Sequence, residues 1–155
     1  MKTTLKNSLL AVLLIGVTTL FGSISAQQKG NNFGIGFMVG EPTGVSIKKW
    51  VTDNSAFDIG AAWSLSDKNE ALHLHADFLR HNWFNDQPNL AFYYGIGART
   101  ILDSDPKFGV RVPFGLNYVF EHIPFDAFVE AVPIFDLAPD TEFAGNGAFG
   151  MRFYF

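Results

Sequence analysis

From Asn32 to the carboxyl terminus, apolar side chains recur at every second position, in runs separated by clusters of turn formers. A period of two predicts β-strands with one greasy face and one small or polar face. The first run, Asn32 to Gly40, sets Phe33, Ile35, Phe37 and Val39 against Gly34, Gly36, Met38 and Gly40, and Glu41-Pro42-Thr43-Gly44 then fits a type I turn. Strand two is Val45 to Val51. Strand three, Ala56 to Leu65, carries Phe57, Ile59, Ala61, Trp63 and Leu65 on one face, and strand four, Ala71 to Phe84, sets Leu72, Leu74, Ala76 and Phe78 against His73, His75, Asp77 and Leu79. Asn85 to Asn89 reads as a turn. Strand five runs from Leu90 to about Leu102. The cleanest alternation is strand six, where Phe108, Val110, Val112, Phe114, Leu116, Tyr118 and Phe120 face away from Gly109, Arg111, Pro113, Gly115 and Asn117. Strand seven opposes Phe125, Ala127, Val129, Ala131 and Phe135 to Asp126, Phe128, Glu130, Val132 and Asp136, and the eighth strand ends the chain. Helical spacing is not seen after residue 27.

Which face turns outward separates two kinds of barrel. A soluble barrel fills its inside with the apolar face and crowds Lys and Glu onto the outside. Here the polar face is mostly Gly, Ala, Ser and Asn, with isolated mid-strand charges at Lys48, Asp58, Asp77, Arg99, Arg111, Glu130 and Arg152. Small residues with sparse charges of both signs suit the interior of a narrow barrel, where each charge needs a partner. The nearly pure Phe, Leu, Ile and Val face suits lipid, and in hydrocarbon the sheet must close, because an open edge leaves backbone groups unsatisfied. Strands of this length match a tilted bilayer crossing, and an even strand number places both chain ends on one side. Aromatic residues fall near strand ends, with Phe57, Phe92, Tyr118, Phe120, Phe125, Phe153 and Phe155 toward the end that carries the termini and Phe37, Trp63, Phe108 and Phe135 toward the other. The same register sends Lys49 outward and Trp50 inward, so that either Lys49 snorkels or a bulge shifts the phase.

The last strand, A-G-N-G-A-F-G-M-R-F-Y-F, alternates Phe149, Met151, Phe153 and Phe155 with Ala148, Gly150, Arg152 and Tyr154. It resembles the final strand of bacterial outer-membrane β-barrel proteins, and over residues 27–155 the chain resembles the small eight-stranded barrels of the OmpA/OmpX type. The resemblance implies an all-β, eight-stranded antiparallel up-and-down transmembrane barrel in the bacterial outer membrane, with the termini in the periplasm. It also implies that Phe149, Met151, Phe153 and Phe155 form the signal read by the barrel-insertion machinery.

Composition sharpens this picture. The 155 residues include 17 Phe and 15 Gly with 17% charged residues, a chain of aromatics and turn formers with room for one domain. There is no cysteine, hence no disulfide or thiolate zinc site. Residues 1–26 read as a cleaved signal peptide, with Lys2 and Lys6 before the apolar run Leu9 to Phe21 and small residues at Ser23-Ile24-Ser25-Ala26. That run is short against the roughly 20 residues of a spanning helix. Cleavage is expected after Ala26, with Ser25 as the alternative. Loss of Lys2 and Lys6 leaves 9 basic residues against 15 acidic ones, which argues against a nucleic-acid partner.

Four candidate features remain. The seven lumen charges are expected to pair and seal the barrel, although the same groups could line an ion path. His73, His75 and Asp77 share a strand face, as metal ligands or a base with its orienting carboxylate would; two histidines are a thin ligand set, and a polar lining is expected instead. No metal or cofactor is therefore expected. Some outer-membrane lipid deacylases and acyl transferases are eight-stranded barrels that pair His with Ser, but only Ser64 lies near this histidine row and no His-x-Ser motif is present, so no enzyme is expected. Pro113 lies opposite Val132 and Pro133 opposite Val112, so two adjacent strands lack donors at nearly one height; this predicts a bulge or an end of regular pairing, or a lateral seam that admits a lipid. The loops opposite the termini carry Glu41, Asp67, Glu70, Asp103, Asp105, Asp140 and Glu142 against Lys68 and Lys107, an acidic rim that either holds divalent cations bridging to lipopolysaccharide or simply keeps the loops solvated. The expectation is a monomeric outer-membrane barrel, structural or membrane-maintaining, in contact with outer-membrane lipid and lipopolysaccharide. The alternatives are a narrow channel or lipid-handling barrel, and a soluble periplasmic ligand-binding barrel.

Overall fold

The computed structural model describes residues 32–41, 43–63 and 71–155. The expected signal peptide, Pro42 and residues 64–70, with Ser64, Asp67, Lys68 and Glu70, lie outside them. Each alternating run forms a strand: β1 (Phe33–Glu41), β2 (Thr43–Thr52), β3 (Ser55–Trp63), β4 (Leu72–Phe84), β5 (Gln87–Leu102), β6 (Lys107–Arg111), β7 (Phe114–Val119), β8 (Phe125–Ala138) and β9 (Glu142–Tyr154). All pairings are antiparallel. β1 pairs with β9 from Gly34 opposite Tyr154 to Glu41 opposite Gly147, which closes the sheet on itself. β6 and β7 lie end to end between β5 and β8, so the nine segments make a ring of eight.

Strand six is thus two segments rather than one. The interruption falls at Val112-Pro113, where proline removes a ladder donor. The bulge expected at the prolines is absent: Arg111 faces Ile134 and Phe114 faces Ala131, an unbroken register across the gap. The Val112 N–H donates to the Pro133 carbonyl at 3.0 Å, and the Gly95 N–H to the Pro113 carbonyl at 2.8 Å. The irregularity sits higher, between Phe108 and Gly109, where Ala138 and Asp136 are the partners and Leu137 is the extra residue. Two turns are also tighter than expected. β1 runs to Glu41 and β2 resumes at Thr43, so Glu41, Thr43 and Gly44 belong to strands. Phe84 already faces Gln87, leaving Asn85-Asp86 as the turn.

The faces follow the register. Phe37 is 73% exposed and Phe149 61% exposed, whereas Lys48 is 0% and Arg152 2% exposed. Apolar residues outside and charges inside invert the usual arrangement of a protein in water. Lys49 is exposed and Trp50 turns inward, and the phase shift between β2 and β3 comes only after Trp50, between it and Thr52.

Candidate functional site

Because side chains alternate along every strand, each inward position must share one narrow lumen with seven other strands. The charges meet there in three groups. Nearest the termini, Arg152 on β9 pairs with Asp58 on β3, donates from Nε to Ser46 Oγ at 2.8 Å, and approaches Asp126 on β8 at 3.4 Å. Ser46 in turn donates to Asp58 at 3.1 Å, and Tyr154 donates to Asp126 at 2.7 Å. Lys48 lies 2.9 Å from His81 Nε2, donates to Asn117 Oδ1 at 2.9 Å, and sits 3.8 Å from Asp126. In the second group Arg111 lies between Asp77 at 3.0 Å and Glu130 at 3.3 Å, and the Tyr93 hydroxyl donates to Glu130 at 2.9 Å. The Arg111–Asp77 contact is an ion pair at hydrogen-bond distance but outside hydrogen-bond alignment. In the third, Arg99 grips Asp136 with both Nε and Nη2, at 3.0 and 2.6 Å, a bidentate fork.

The backbone arrangement that permits these contacts is a glycine between the partners. Gly97 faces Asp77 on one neighbouring strand and Arg111 on the other, and those two pair across it. Gly109 stands in the same way between Arg99 and Asp136, Gly115 between Tyr93 and Glu130, and Gly36 between Arg152 and Ser46. A Cβ at Gly97 would lie 1.9 Å from Asp77 Oδ1, and one at Gly109 would lie 2.4 Å from Asp136 Oδ1. The small residues of the polar face therefore do more than save space. They let side chains two strands apart touch, and charges removed from water keep their partners.

All seven expected lumen charges (Lys48, Asp58, Asp77, Arg99, Arg111, Glu130 and Arg152) point inward, and they are joined by two acids that the sequence reading left out, Asp126 and Asp136. Both stood on the polar face of strand seven. The available signal was charge balance, since four cations against three carboxylates leaves a cation unmatched, and Asp126 lies directly opposite Arg152. The neutral partners Ser46, His81, Tyr93, Asn117 and Tyr154 carried no such signal. His75 is buried with its ring over Gly60, where a Cβ would meet it at 2.2 Å, and among the described residues no group of three or more His, Asp or Glu is placed to hold a metal. In the last strand Phe149, Met151, Phe153 and Phe155 share the outward face, where Phe153 is half-buried with its ring 5.2 Å from Phe125. Pro113 is buried and Pro133 half-buried.

No protein-family model and no curated protein sequence matches the chain. Among solved structures it is similar to the N-terminal β-barrel domain of Pseudomonas aeruginosa OprF, with a TM-score of 0.66 at 18% identity, over 82% of this chain and 100% of that one. It is also similar to Neisserial surface protein A, NspA, with a TM-score of 0.55 at 12% identity, over 79% of this chain and 93% of that one. At these identities the likeness speaks to architecture, and there it agrees with the closed ring and the inverted faces described above. The chain has the fold of the small eight-stranded outer-membrane barrels of the OmpA/OmpX type.

Proposed function

We propose that this protein is an integral barrel of the bacterial outer membrane, exported through a cleaved signal peptide at residues 1–26, with a structural or membrane-maintaining role and a lumen sealed by its own side chains. The observation that carries the reading is the occupation of the lumen at three heights by paired charges from β2, β3, β4, β5, β6, β8 and β9. An ion on its way through would have to part buried pairs, and each parted pair leaves charges without water or partner at a cost of several kcal/mol. The outward face supports the membrane over a soluble periplasmic barrel, because Phe37, Phe57, Ile96, Phe143 and Phe149 would otherwise stand more than half exposed to water. The terminal strand with Phe149, Met151, Phe153 and Phe155 is read as the insertion signal. The acidic rim, including Asp103, Asp105, Asp140 and Glu142, is read as a seat for divalent cations shared with lipopolysaccharide. The barrel works as a monomer, and no catalytic step is assigned to it.

The test is conductance of the refolded mature chain in planar bilayers, after cell fractionation and a gel of boiled and unboiled protein have established a folded outer-membrane barrel. Silent bilayers are expected. Sustained unitary steps would overturn the sealed-lumen reading in favour of a narrow channel.

A further inference from the structure

We propose that the barrel end carrying the termini holds a carbohydrate-binding subsite built on the indoles of Trp50 and Trp83. An open dish of about 300 Å³ lies at that mouth, lined by the two tryptophans, Val51 and Val119, together with Asn32, Thr52 and Asp53. This is the lower end of the range for small-molecule sites, on the order of 300–1,000 Å³. The indoles stack on one another, with ring centres 6.0 Å apart and planes 26° from parallel. Both are braced. The Trp83 Nε1–H donates to the Asp53 carbonyl at 3.0 Å, and Trp50 rests on the His81 ring at 4.4 Å.

The chemistry of the dish selects among ligands. A braced apolar surface of indole and valine beside an amide, a hydroxyl and a carboxylate matches a pyranose, which presents C–H groups on one face and hydroxyls around its edge. The Thr52 hydroxyl accepts the Asn54 N–H at 3.2 Å, so its hydrogen is left to donate outward. A cationic ligand is the obvious rival, since tryptophan faces and a carboxylate attract cations. The buried Lys48 ammonium, however, already sits 4.2 Å from the Trp50 ring centre on the lumen side, and a second cation on the outer face would be repelled through the ring. An anion would meet the Asp53 carboxylate. A neutral polyol faces neither penalty. Under the membrane orientation proposed above the dish opens to the periplasm, but its affinity is testable without that orientation.

The experiment follows tryptophan fluorescence of refolded protein in a zwitterionic detergent that lacks a sugar headgroup. Of the three tryptophans, Trp63 faces outward, so a Trp63→Phe background restricts the signal to the dish. Chitotriose, maltotriose and tetramethylammonium are titrated separately. A saturable response to either trisaccharide is expected, with the pair identifying an amino-sugar or a glucose polymer, and Trp83→Ala should weaken it about tenfold or more. Should Trp83→Ala fail the boiled and unboiled gel test of folding, the rim variant Asn32→Ala/Thr52→Val takes its place, read by calorimetry. Saturation by tetramethylammonium but by neither sugar overturns the proposal, as does silence towards all three probes by folded protein, or unchanged sugar affinity in the rim variant.

Discussion

Arg152→Met removes a side chain that reaches partners on three other strands. The methionine keeps most of the volume and the contact with Phe128, whose ring centre lies 3.8 Å from the guanidinium carbon, but it leaves Asp58 and Asp126 buried without their main counter-charge. Breaking a buried pair in this way costs about 3–5 kcal/mol, and a desolvated cation on an aromatic face adds up to about 2. Lys48, 3.8 Å from Asp126, still compensates part of that charge, so a loss of about 4 kcal/mol is expected. At roughly 1–3 kcal/mol per molar urea this lowers the unfolding midpoint by roughly 1–4 M in lipid vesicles, followed by fluorescence and by the boiled and unboiled gel. Adding Asp58→Asn should recover more than half of the loss, because the penalty lies in orphaned charge rather than in the missing cation, and Asp126 stays charged beside Lys48. A single variant within about 1 kcal/mol of the parent, or a double variant no more stable than the single, would refute the pairing argument.

The glycine bridges predict a contrast. Gly97→Val should destabilise the barrel by about 1–3 kcal/mol or prevent refolding, since a Cβ there meets Asp77 Oδ1 and the Ala76 carbonyl, whereas Gly145→Val, with nothing within 4 Å, should refold and unfold like the parent. Equal effects of the two substitutions on the urea midpoint would show that the bridges do not govern stability. At the proline pair, a lateral seam between β7 and β8 requires amides near Val112 and Ile134 to exchange faster than those near Ile59 and Ala76 on β3 and β4. Uniform protection by hydrogen-exchange mass spectrometry would leave two prolines held by the flanking bonds to Pro133 and Pro113 carbonyls.

The architecture was legible because a strand's period of two leaves no freedom: once Phe33, Ile35 and Phe37 share a face, so must Phe149, Met151 and Phe153 in the strand that closes on them. Turn lengths were less legible. Asn85 to Asn89 is rich in turn formers, yet Pro88 fits a strand because its missing donor can lie where no ladder bond is needed. The lumen charges were visible one by one, but their partners were not, since a contact across a lumen depends on two registers at once. Arg99 and Asp136 are not on adjacent strands; only the position of Gly109 against both makes them a pair. The aromatic dish was hidden for a similar reason. Trp50 was noticed only as a misfit of phase, and Trp83, at the far end of strand four, gave no sign that it would stack on it.

The bridge from Arg152 over Gly36 to Ser46 joins the last, first and second strands, residues 106 apart in sequence, so it exists only after the ring has shut. It works as a lock keyed to one alignment of the closing strands. Slide β9 by two residues one way and Arg152 faces Met38, whose side chain stands in the way of the far partner. Slide it the other way and Arg152 looks across Gly34 at Lys48, cation against cation. The outer face offers no comparable discrimination, since one apolar residue slides past another at little cost. The chain reads its own closure from the inside.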